Sequence, residues 1–559
     1  MTIARIAFAV ALLVPSLAEA AQGSPMKEGT STISGHVTAS DTGKPIRGAI
    51  VEIVIYENLS GRFRQVTTDA DGKFEFAKLP AGEYQLASQA RRYVRMQYGQ
   101  LQPGPAGLLN PARRIAIVEG QAYTTANFAL ASFAAIEGVV SDEFGDPVPN
   151  VTVQVSQLQF AGGRRRLMPA NSDPEIGPPT PTDDLGRFRV GGLAPGTYYV
   201  EALSGAFADP NAAGGFGITF FPGTSSPASA QAVRVTPGND VPNISFALAP
   251  AKMARVAGTV VDGEGRPMAG STLMLMPSER SGTVLTLIVR AVSGSDGGFT
   301  FRNVPPGAYT IQAYGKPVGG GNLGAAPFGY LTFTVDGRDL EVTVPVPAPR
   351  TLRGKIVFDG DMSLLPKPTD VFVSARQIDF ESAPIGGGPS PVTIRDDWTF
   401  EVAAMSGLRV ISAATRSGWT LKRATLNGQD VTDTALDFRE RDVNGLELEL
   451  TTRLSSVTGM LVGTDGKPAS DLSIAIFSED ETKWNALSRH VTLARPSGDG
   501  AFTVRGLPAG NYVAAAIQPS VGGEWQDPAF LRKLRFSADA VRFSLSDGGT
   551  ARVTVSAKR

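Results

Sequence analysis

The stretch that decides the fold is DADGKFEFAKLPAGEY, residues 69–84. A turn at Asp71-Gly72 leads into the alternating run Phe74-Glu75-Phe76, so both phenylalanines point to one face of a strand. The Leu-Pro-x-Gly-x-Tyr segment that follows is a second turn, and it leads into another strand. Tyr84 begins that strand and is placed to donate a hydrogen bond back across the turn.

The same pattern returns along the chain, at a spacing that is the size of a domain. Ahead of each copy stands a strand start of the form Ile/Val/Leu-x-Gly, with its glycine at 35, 138, 258, 354 or 459. These glycines are about one hundred residues apart, which is typical of whole domains rather than of solenoid repeats. The further copies of the turn pattern span Asp183–Tyr198, Asp296–Tyr309 and residues 498–512, with a decayed copy at residues 395–408.

The arrangement of strands and turns predicts an all-β fold. Short alternating runs are separated by Asp-Gly turns, and long helical periodicity is absent; the best helix candidate is Asp527–Leu534. We therefore predict a tandem array of about five β-sandwich domains that follows an N-terminal signal peptide. The predicted domains span residues 28–131, 132–250, 251–349, 350–451 and 452–559.

Residues 1–20 are predicted to be a signal peptide. Arg5 precedes the short apolar run Ile6–Val14, and Ala18-Glu19-Ala20 is a small-x-small cleavage site. We expect the mature chain to be extracytoplasmic: periplasmic, on the cell surface or secreted. No later stretch is apolar over the 18 residues that a membrane helix needs, so no transmembrane segment is expected.

The composition narrows the classes of function. The 559 residues contain 52 Lys+Arg and 53 Asp+Glu, for a formal net charge of -1, so nucleic acid is not an expected partner. The absence of cysteine excludes disulfides and thiolate metal sites. With only 2 histidines, we expect no metal site, no cofactor and no enzymatic activity.

The order Ile-x-Gly-x-Val, Gly-x-Pro, Thr-Asp-x-x-Gly-x-Phe and Leu-Pro-x-Gly-x-Tyr resembles the carboxypeptidase regulatory-like domain. The match is strong in the first, second, third and fifth repeats and weak in the fourth. This resemblance implies prealbumin-like or Ig-like sandwiches, related to Cna B-type and starch-binding-like folds, in an exported bacterial protein. It implies no peptidase activity, because the module accompanies the zinc-containing catalytic domain and is not that domain.

Ligand-binding residues are sought among aromatic side chains and loops. Trp419, Trp484 and Trp525 lie in the last two repeats and outside the repeated pattern. Flat indole rings stack on the apolar faces of sugars, so these three are the candidate ligand-binding residues; the alternative is that they are core residues. Arg164-Arg165-Arg166 is interpreted as part of a solvated loop rather than as an anion site.

Three functions remain open at this stage. The first is an exported, non-catalytic binding protein that recognises a polysaccharide, another glycan or a cell-envelope protein through sandwich loops. The second is a structural spacer or stalk built from similar domains. The third is a carboxylate-based glycoside hydrolase, for which Asp183-Asp184 and Asp396-Asp397 are the available acidic pairs.

Overall fold

The computed structural model describes residues 28–57, 60–104, 112–161, 163–170, 181–204, 215–278, 288–316, 326–378, 384, 390–415, 417–485, 487–519 and 522–557. The predicted signal peptide, residues 1–20, lies outside this part of the chain. The described residues form two compact units. The first ends at Leu130 and the second begins at Ala131, except that residues 101–104 group with the second.

The first compact unit is one β-sandwich. One sheet is built on β1, which pairs antiparallel with β4 and parallel with β8 and β9. The other sheet has the order β3-β2-β5, with β6 and β7 both pairing with β5. The strands are β1 (Ser31–Ala39), β2 (Ile50–Glu57), β3 (Ser60–Thr67), β4 (Lys73–Leu79), β5 (Gly82–Gln89), β6 (Met96–Gln97), β7 (Arg114–Ile117), β8 (Ala122–Tyr123) and β9 (Phe128–Leu130).

The second compact unit begins with two sandwiches of the same design. Their three-stranded sheets have the orders β13-β10-β17 and β21-β18-β24, and the facing sheets run β12-β11-β14-β15 (with β16 also beside β14) and β20-β19-β22-β23. The strands are β10 (Ala134–Ser141), β11 (Val151–Ala161), β12 (Arg164–Pro169), β13 (Arg187–Leu193), β14 (Gly196–Ser204), β15 (Thr219–Phe220), β16 (Val233–Val235), β17 (Phe246–Ala247), β18 (Ala254–Asp262), β19 (Thr272–Pro277), β20 (Val289–Val292), β21 (Gly298–Val304), β22 (Gly307–Tyr314), β23 (Phe328–Val335) and β24 (Leu340–Val346).

The fourth sandwich joins its two layers into one continuous sheet, in the order β26-β29-β30-β33-β25-β28-β27, with β31 beside β30 and β32 beside β29. Its strands are β25 (Arg350–Asp359), β26 (Val371–Gln377), β27 (Val392–Ile394), β28 (Thr399–Met405), β29 (Leu408–Thr415), β30 (Thr420–Leu426), β31 (Gln429–Asp430), β32 (Leu436–Asp437) and β33 (Val443–Thr451).

The fifth sandwich returns to separate sheets, ordered β37-β34-β40 and β36-β35-β38-β39. Its strands are β34 (Ser456–Val462), β35 (Ser473–Ser478), β36 (Val491–Ala494), β37 (Ala501–Arg505), β38 (Gly510–Ile517), β39 (Val541–Leu545) and β40 (Thr550–Ser556). The α-helix α1 (Pro528–Arg535) precedes β39, close to the predicted helix. Short 3-10 helices occupy Pro227–Ser229, Met362–Leu364, Pro368–Asp370, Glu481–Lys483 and Glu524–Gln526.

The all-β tandem fold that the sequence predicts is therefore confirmed, and each sandwich has its own core. In the first sandwich Ile33, Phe76 and Tyr84 are fully buried in one cluster, so the repeated motif supplies the centre of the domain. The exact domain boundaries stay a prediction.

The glycine of each strand start has a steric reason. In the third sandwich β18 runs parallel to β24, with Gly258 opposite Val342. A Cβ at Gly258 would overlap the carbonyl oxygen of Val342. In the fifth sandwich a Cβ at Gly459 would overlap the carbonyl oxygen of Val553 in the same way. The repeat needs glycine here because the backbone of the closing strand lies too close to the first strand to leave room for a Cβ.

The turn tyrosine forms the predicted hydrogen bond in all four intact repeats. Each phenol is buried and donates to the carbonyl oxygen four residues earlier. The distances are 2.7 Å for Tyr84 to Pro80, 2.5 Å for Tyr198 to Ala194, 2.9 Å for Tyr309 to Pro305 and 2.8 Å for Tyr512 to Pro508.

The decayed fourth repeat departs from this pattern at Trp398. The other repeats place glycine in the left-handed conformation at this point of the turn, as at Gly72 with φ 71°, whereas Trp398 adopts φ 65°. Its indole is half-buried and packs edge-on against Phe358, with ring centroids 4.7 Å apart. That packing offsets the cost of a left-handed conformation for a residue that carries a Cβ.

Candidate functional site

The three candidate tryptophans are core residues. Trp419 is fully buried, and its Nε1 donates to the carbonyl oxygen of Leu364 at 2.8 Å. Trp484 is buried too, and its Nε1 donates to the carbonyl oxygen of Ser478 at 2.7 Å. Trp525 is 2 % exposed. Since a buried indole offers no face to a sugar, the expectation of an exposed aromatic platform is corrected, and the core alternative describes these residues.

The burial of Trp525 follows from the segment around α1. Trp525 and Leu531 join Phe477 and Val513 in a hydrophobic cluster that is separate from the main core of the fifth sandwich. Asp527 caps α1, because its carboxylate accepts a hydrogen bond from the Ala529 amide at 2.8 Å. The helix thus covers the face of the sheet that points away from the sandwich core.

A different feature of the second compact unit is a candidate binding site. A cavity of about 520 Å³ lies where the second and third sandwiches meet. The second sandwich contributes three arginines of β12 together with aromatic residues, and the third contributes a proline-containing turn and its turn tyrosine. The lining residues that matter here are Arg164, Arg165, Arg166, Tyr199, Phe220 and Tyr309.

The three arginines lie on a strand and not in the solvated loop that the sequence suggested. β11 and β12 form a hairpin in which Phe160 is opposite Arg165 and Gln159 is opposite Arg166. Arg166 is 4 % exposed, whereas Arg164 and Arg165 are exposed. The sequence signal that could have revealed this hairpin is the Gly162-Gly163 pair between an alternating run and the arginines, because paired glycines favour hairpin turns.

The lining of the cavity combines three arginines with a larger number of apolar side chains. Among the described residues that line it, none is Asp or Glu. The carboxylate of Asp527, in the fifth sandwich, binds Arg165 from outside the lining: Nε and Nη2 lie 3.1 Å and 3.0 Å from Oδ2. A planar guanidinium that holds a carboxylate through two nitrogens is the usual geometry for anion recognition by arginine.

Arg165 also stands at a contact between sandwiches that are not neighbours in the chain. Beside its ion pair with Asp527, the Phe160 amide on β11 donates to the carbonyl oxygen of Gly522 at 2.6 Å. The second sandwich is thereby joined directly to the fifth. This contact fixes one wall of the cavity, since β12 pairs with β11 over its whole length.

A second junction, between the fourth and fifth sandwiches, contains a buried histidine. Arg489 binds Asp433 at 2.9 Å and also donates to the carbonyl oxygen of Leu421 at 2.6 Å. Next to it, Nδ1 of His490 lies 2.9 Å from the phenol oxygen of Tyr512. Burial, with the charge of Lys483 adding to it, lowers the pKa of His490 to about 4. The imidazole is neutral at pH 7 and acts as a structural hydrogen-bonding group.

Within the described residues, no group of three or more His, Cys, Asp or Glu side chains is placed to hold a metal ion. In the same part of the chain, no helix has the length and apolarity to cross a membrane.

Comparison with known families supports the resemblance. Residues 32–131 and 255–344 match the carboxypeptidase regulatory-like domain. The first match covers the first sandwich from β1 to β9, and the second covers the third sandwich from β18 into β24. The resemblance found in the repeated motif is therefore confirmed for the first and third sandwiches. No curated protein matches the sequence.

Solved structures match at low identity. A streptococcal ancillary pilin is 13% identical over 56% of this chain and 98% of its own, with a TM-score of 0.18. The minor pilin of Streptococcus agalactiae is 13% identical over 40% of this chain and 96% of its own, with a TM-score of 0.22. The major pilin subunit of Bacillus cereus is 11% identical over 56% of this chain and 99% of its own, with a TM-score of 0.16. At these TM-scores the matches carry no argument about function.

Proposed function

We propose that this chain, two segments of which match the carboxypeptidase regulatory-like domain, is an exported, non-catalytic binding protein. Its partner is a glycan or a protein of the cell envelope. Binding takes place in the cavity between the second and third sandwiches rather than on the tryptophans, which are buried.

The observation that carries this proposal is the cavity itself. Its volume of about 520 Å³ lies within the range of ligand pockets, which is roughly 300–1,000 Å³. Its lining combines apolar side chains and the half-buried ring of Tyr199 with three arginines from one strand, which is the composition of sites that orient a ligand.

The contact between the second and fifth sandwiches disfavours the spacer alternative. In a stalk each domain touches only its neighbours along the chain, because the role is to keep the ends apart. Here the Phe160 amide bonds to Gly522 and Arg165 binds Asp527, so two non-neighbouring sandwiches are held together. This arrangement favours a binding body over a stalk.

The carboxylates offered for a glycosidase are used in turns. Oδ1 of Asp183 accepts hydrogen bonds from the amides of Leu185 and Arg187, at 3.0 Å and 2.7 Å. Asp397 accepts from the side chain and amide of Thr399, and these bonds lower the pKa of its carboxyl. A general acid needs a raised pKa, so the lowered pKa of Asp397 supports the non-catalytic proposal.

The proposal is tested by titrating the mature chain, residues 21–559, with a panel of neutral and acidic polysaccharides by calorimetry. In parallel, envelope proteins are captured by in-cell crosslinking. Saturable binding to one glycan class, or one crosslinked envelope protein that also binds the purified chain, is the expected result. Failure of both arms would refute the binding function. Release of new reducing ends from any polysaccharide would refute its non-catalytic character.

A further inference from the structure

We propose that β26 is an interaction surface on which a second copy of this chain pairs, edge to edge and antiparallel, to form a symmetric dimer. The observation behind this proposal is an open sheet edge in the fourth sandwich. The inference goes beyond the proposed binding function, because self-association through β26 needs no ligand and uses none of the residues that line the cavity.

The edge is open because the strand that follows β26 belongs to the other part of the sandwich. In the other four sandwiches the strand that corresponds to β26 has a neighbour on both sides: β2 lies between β3 and β5, β11 between β12 and β14, β19 between β20 and β22, and β35 between β36 and β38. In the fourth sandwich the next strand, β27, pairs with β28 instead. In the part of the chain that the structure describes, β26 therefore pairs with β29 alone.

This edge strand lacks most of the devices that keep edges from pairing. Natural proteins protect exposed edges with very short strands, bulges, proline or charged side chains. The strand β26 has 7 residues and no proline, and its register with β29 is regular throughout. Its one charged residue is Arg376. An edge of this length can accept a second strand through backbone hydrogen bonds.

The side chains of β26 are complementary to a second copy of themselves. Val371 and Val373 belong to the core, whereas Phe372, Ser374 and Arg376 are exposed on the other face. An antiparallel pair centred on Ser374 places two small, mutually hydrogen-bonding side chains at the symmetry axis. It also places Phe372 of each copy opposite Arg376 of the other, a favourable pair of ring and guanidinium. Centring the pair on Arg376 would instead oppose two like charges.

Further apolar surface lies at the start of this strand. Met362, Leu364 and Leu365 are 57 %, 50 % and 42 % exposed, in the segment that leads into β26. In the antiparallel pair this end of one strand meets the Gln377 end of the other, so the apolar surface is available to extend the contact. A contact of two strands alone is smaller than the roughly 1,200–2,000 Å² of stable interfaces, so we expect a reversible dimer.

The first test is sedimentation velocity of the mature chain, residues 21–559, over a series of concentrations. The wild type is expected to shift reversibly from monomer to dimer as the concentration rises. Ser374→Lys sets two ammonium groups opposite each other and weakens the association by about tenfold or more. Thr300→Lys is the control and leaves the dimer unchanged, because Thr300 is an exposed residue in the middle of β21, an edge strand of the third sandwich.

The second test uses single cysteines to check the register. The chain has no cysteine, so one introduced thiol reports only on its own position. Directly opposed residues of antiparallel strands have Cα atoms about 4.5–5.5 Å apart, a distance that a disulfide can span. Ser374→Cys is therefore expected to give a disulfide-linked dimer under mild oxidation. Arg376→Cys is not, because its two copies lie four residues apart along the paired strands, about 14 Å.

The contrary outcomes are equally specific. A monomer at every concentration, an unchanged dimer in Ser374→Lys, or equal crosslinking of Ser374→Cys and Arg376→Cys would each overturn the proposal. Near-ultraviolet circular dichroism shows whether Ser374→Lys keeps the wild-type fold, and if it does not, the two cysteine variants decide. A photocrosslink in cells from position 374 to a different protein would also overturn the self-paired dimer and would assign the edge to that protein.

Discussion

At the scale of single residues, the turn tyrosine closes each intact sandwich. The phenol of Tyr198 donates to the Ala194 carbonyl at 2.5 Å, and burial raises the pKa of this phenol to about 12. Tyr198→Phe leaves that carbonyl without its donor and lowers the free energy of unfolding by about 1–2 kcal/mol. Tyr199→Phe is the matched control, since Tyr199 lines the cavity instead of the core. Hydrogen exchange of the β14 amides in the full chain compares the two variants. Equal protection in both would contradict the role of the bond.

His490 makes stability depend on pH. Its pKa is lowered to about 4 by burial, whereas the unfolded residue titrates near 6.5. The unfolded chain therefore binds a proton between these values and the folded chain does not. The stabilisation that comes from the neutral imidazole is fully present above about pH 6.5. As the pH falls to 4, up to about 3 kcal/mol of the free energy of unfolding is lost.

The check is urea unfolding of the wild type and of His490→Gln between pH 7.5 and 4. We expect the variant to lose less stability on acidification than the wild type does. His36→Gln is the control, because His36 is the other histidine and is exposed. If His490→Gln and the wild type have the same pH dependence, the imidazole does not resist protonation in the folded chain.

At the scale of elements, α1 stabilises the fifth sandwich by covering an apolar sheet face. Leu531 is fully buried against this face, whereas Phe536, directly after the helix, is 74 % exposed. Leu531→Ala lowers the free energy of unfolding by about 2–5 kcal/mol, while Phe536→Ala changes it by less than about 0.5 kcal/mol. Thermal unfolding followed by near-ultraviolet circular dichroism reports this change through Trp525. A small effect of Leu531→Ala would mean that the helix is not part of the cooperative unit.

The elements also show how far sequence reasoning reaches. Period-two alternation and the Asp-Gly and Pro-x-Gly turns predict the strands and the turn tyrosines, because these features depend on local chemistry. The burial of the three tryptophans depends on tertiary packing and not on local sequence. Trp484 and Trp525 lie in the cluster that α1 covers, whereas Trp419 packs in the main core of the fourth sandwich. The run of arginines looks solvated for the same reason, because only the hairpin and the third sandwich place it at a cavity.

At the scale of the molecule, the second compact unit joins sandwiches that are far apart in sequence. Arg165 and Asp527 are separated by 362 positions, yet they form an ion pair beside a backbone hydrogen bond from Phe160 to Gly522. An exposed ion pair contributes little by itself, about 0–1 kcal/mol. The fourth sandwich is also joined to the fifth, through the ion pair of Arg489 and Asp433.

The closed arrangement can be measured directly, because the chain has no cysteine of its own. Leu185→Cys and Phe536→Cys place spin labels on exposed positions of the second and fifth sandwiches. Pulsed electron–electron double resonance on the full chain is expected to give one narrow distance distribution, because the contact between the second and fifth sandwiches restricts the motion of the two labels. Asp527→Asn keeps that distribution narrow, because the backbone bond and the fourth sandwich still hold the two parts together. A broad distribution in the wild type would mean that the second and fifth sandwiches move independently. It would favour the spacer role over the proposed binding function.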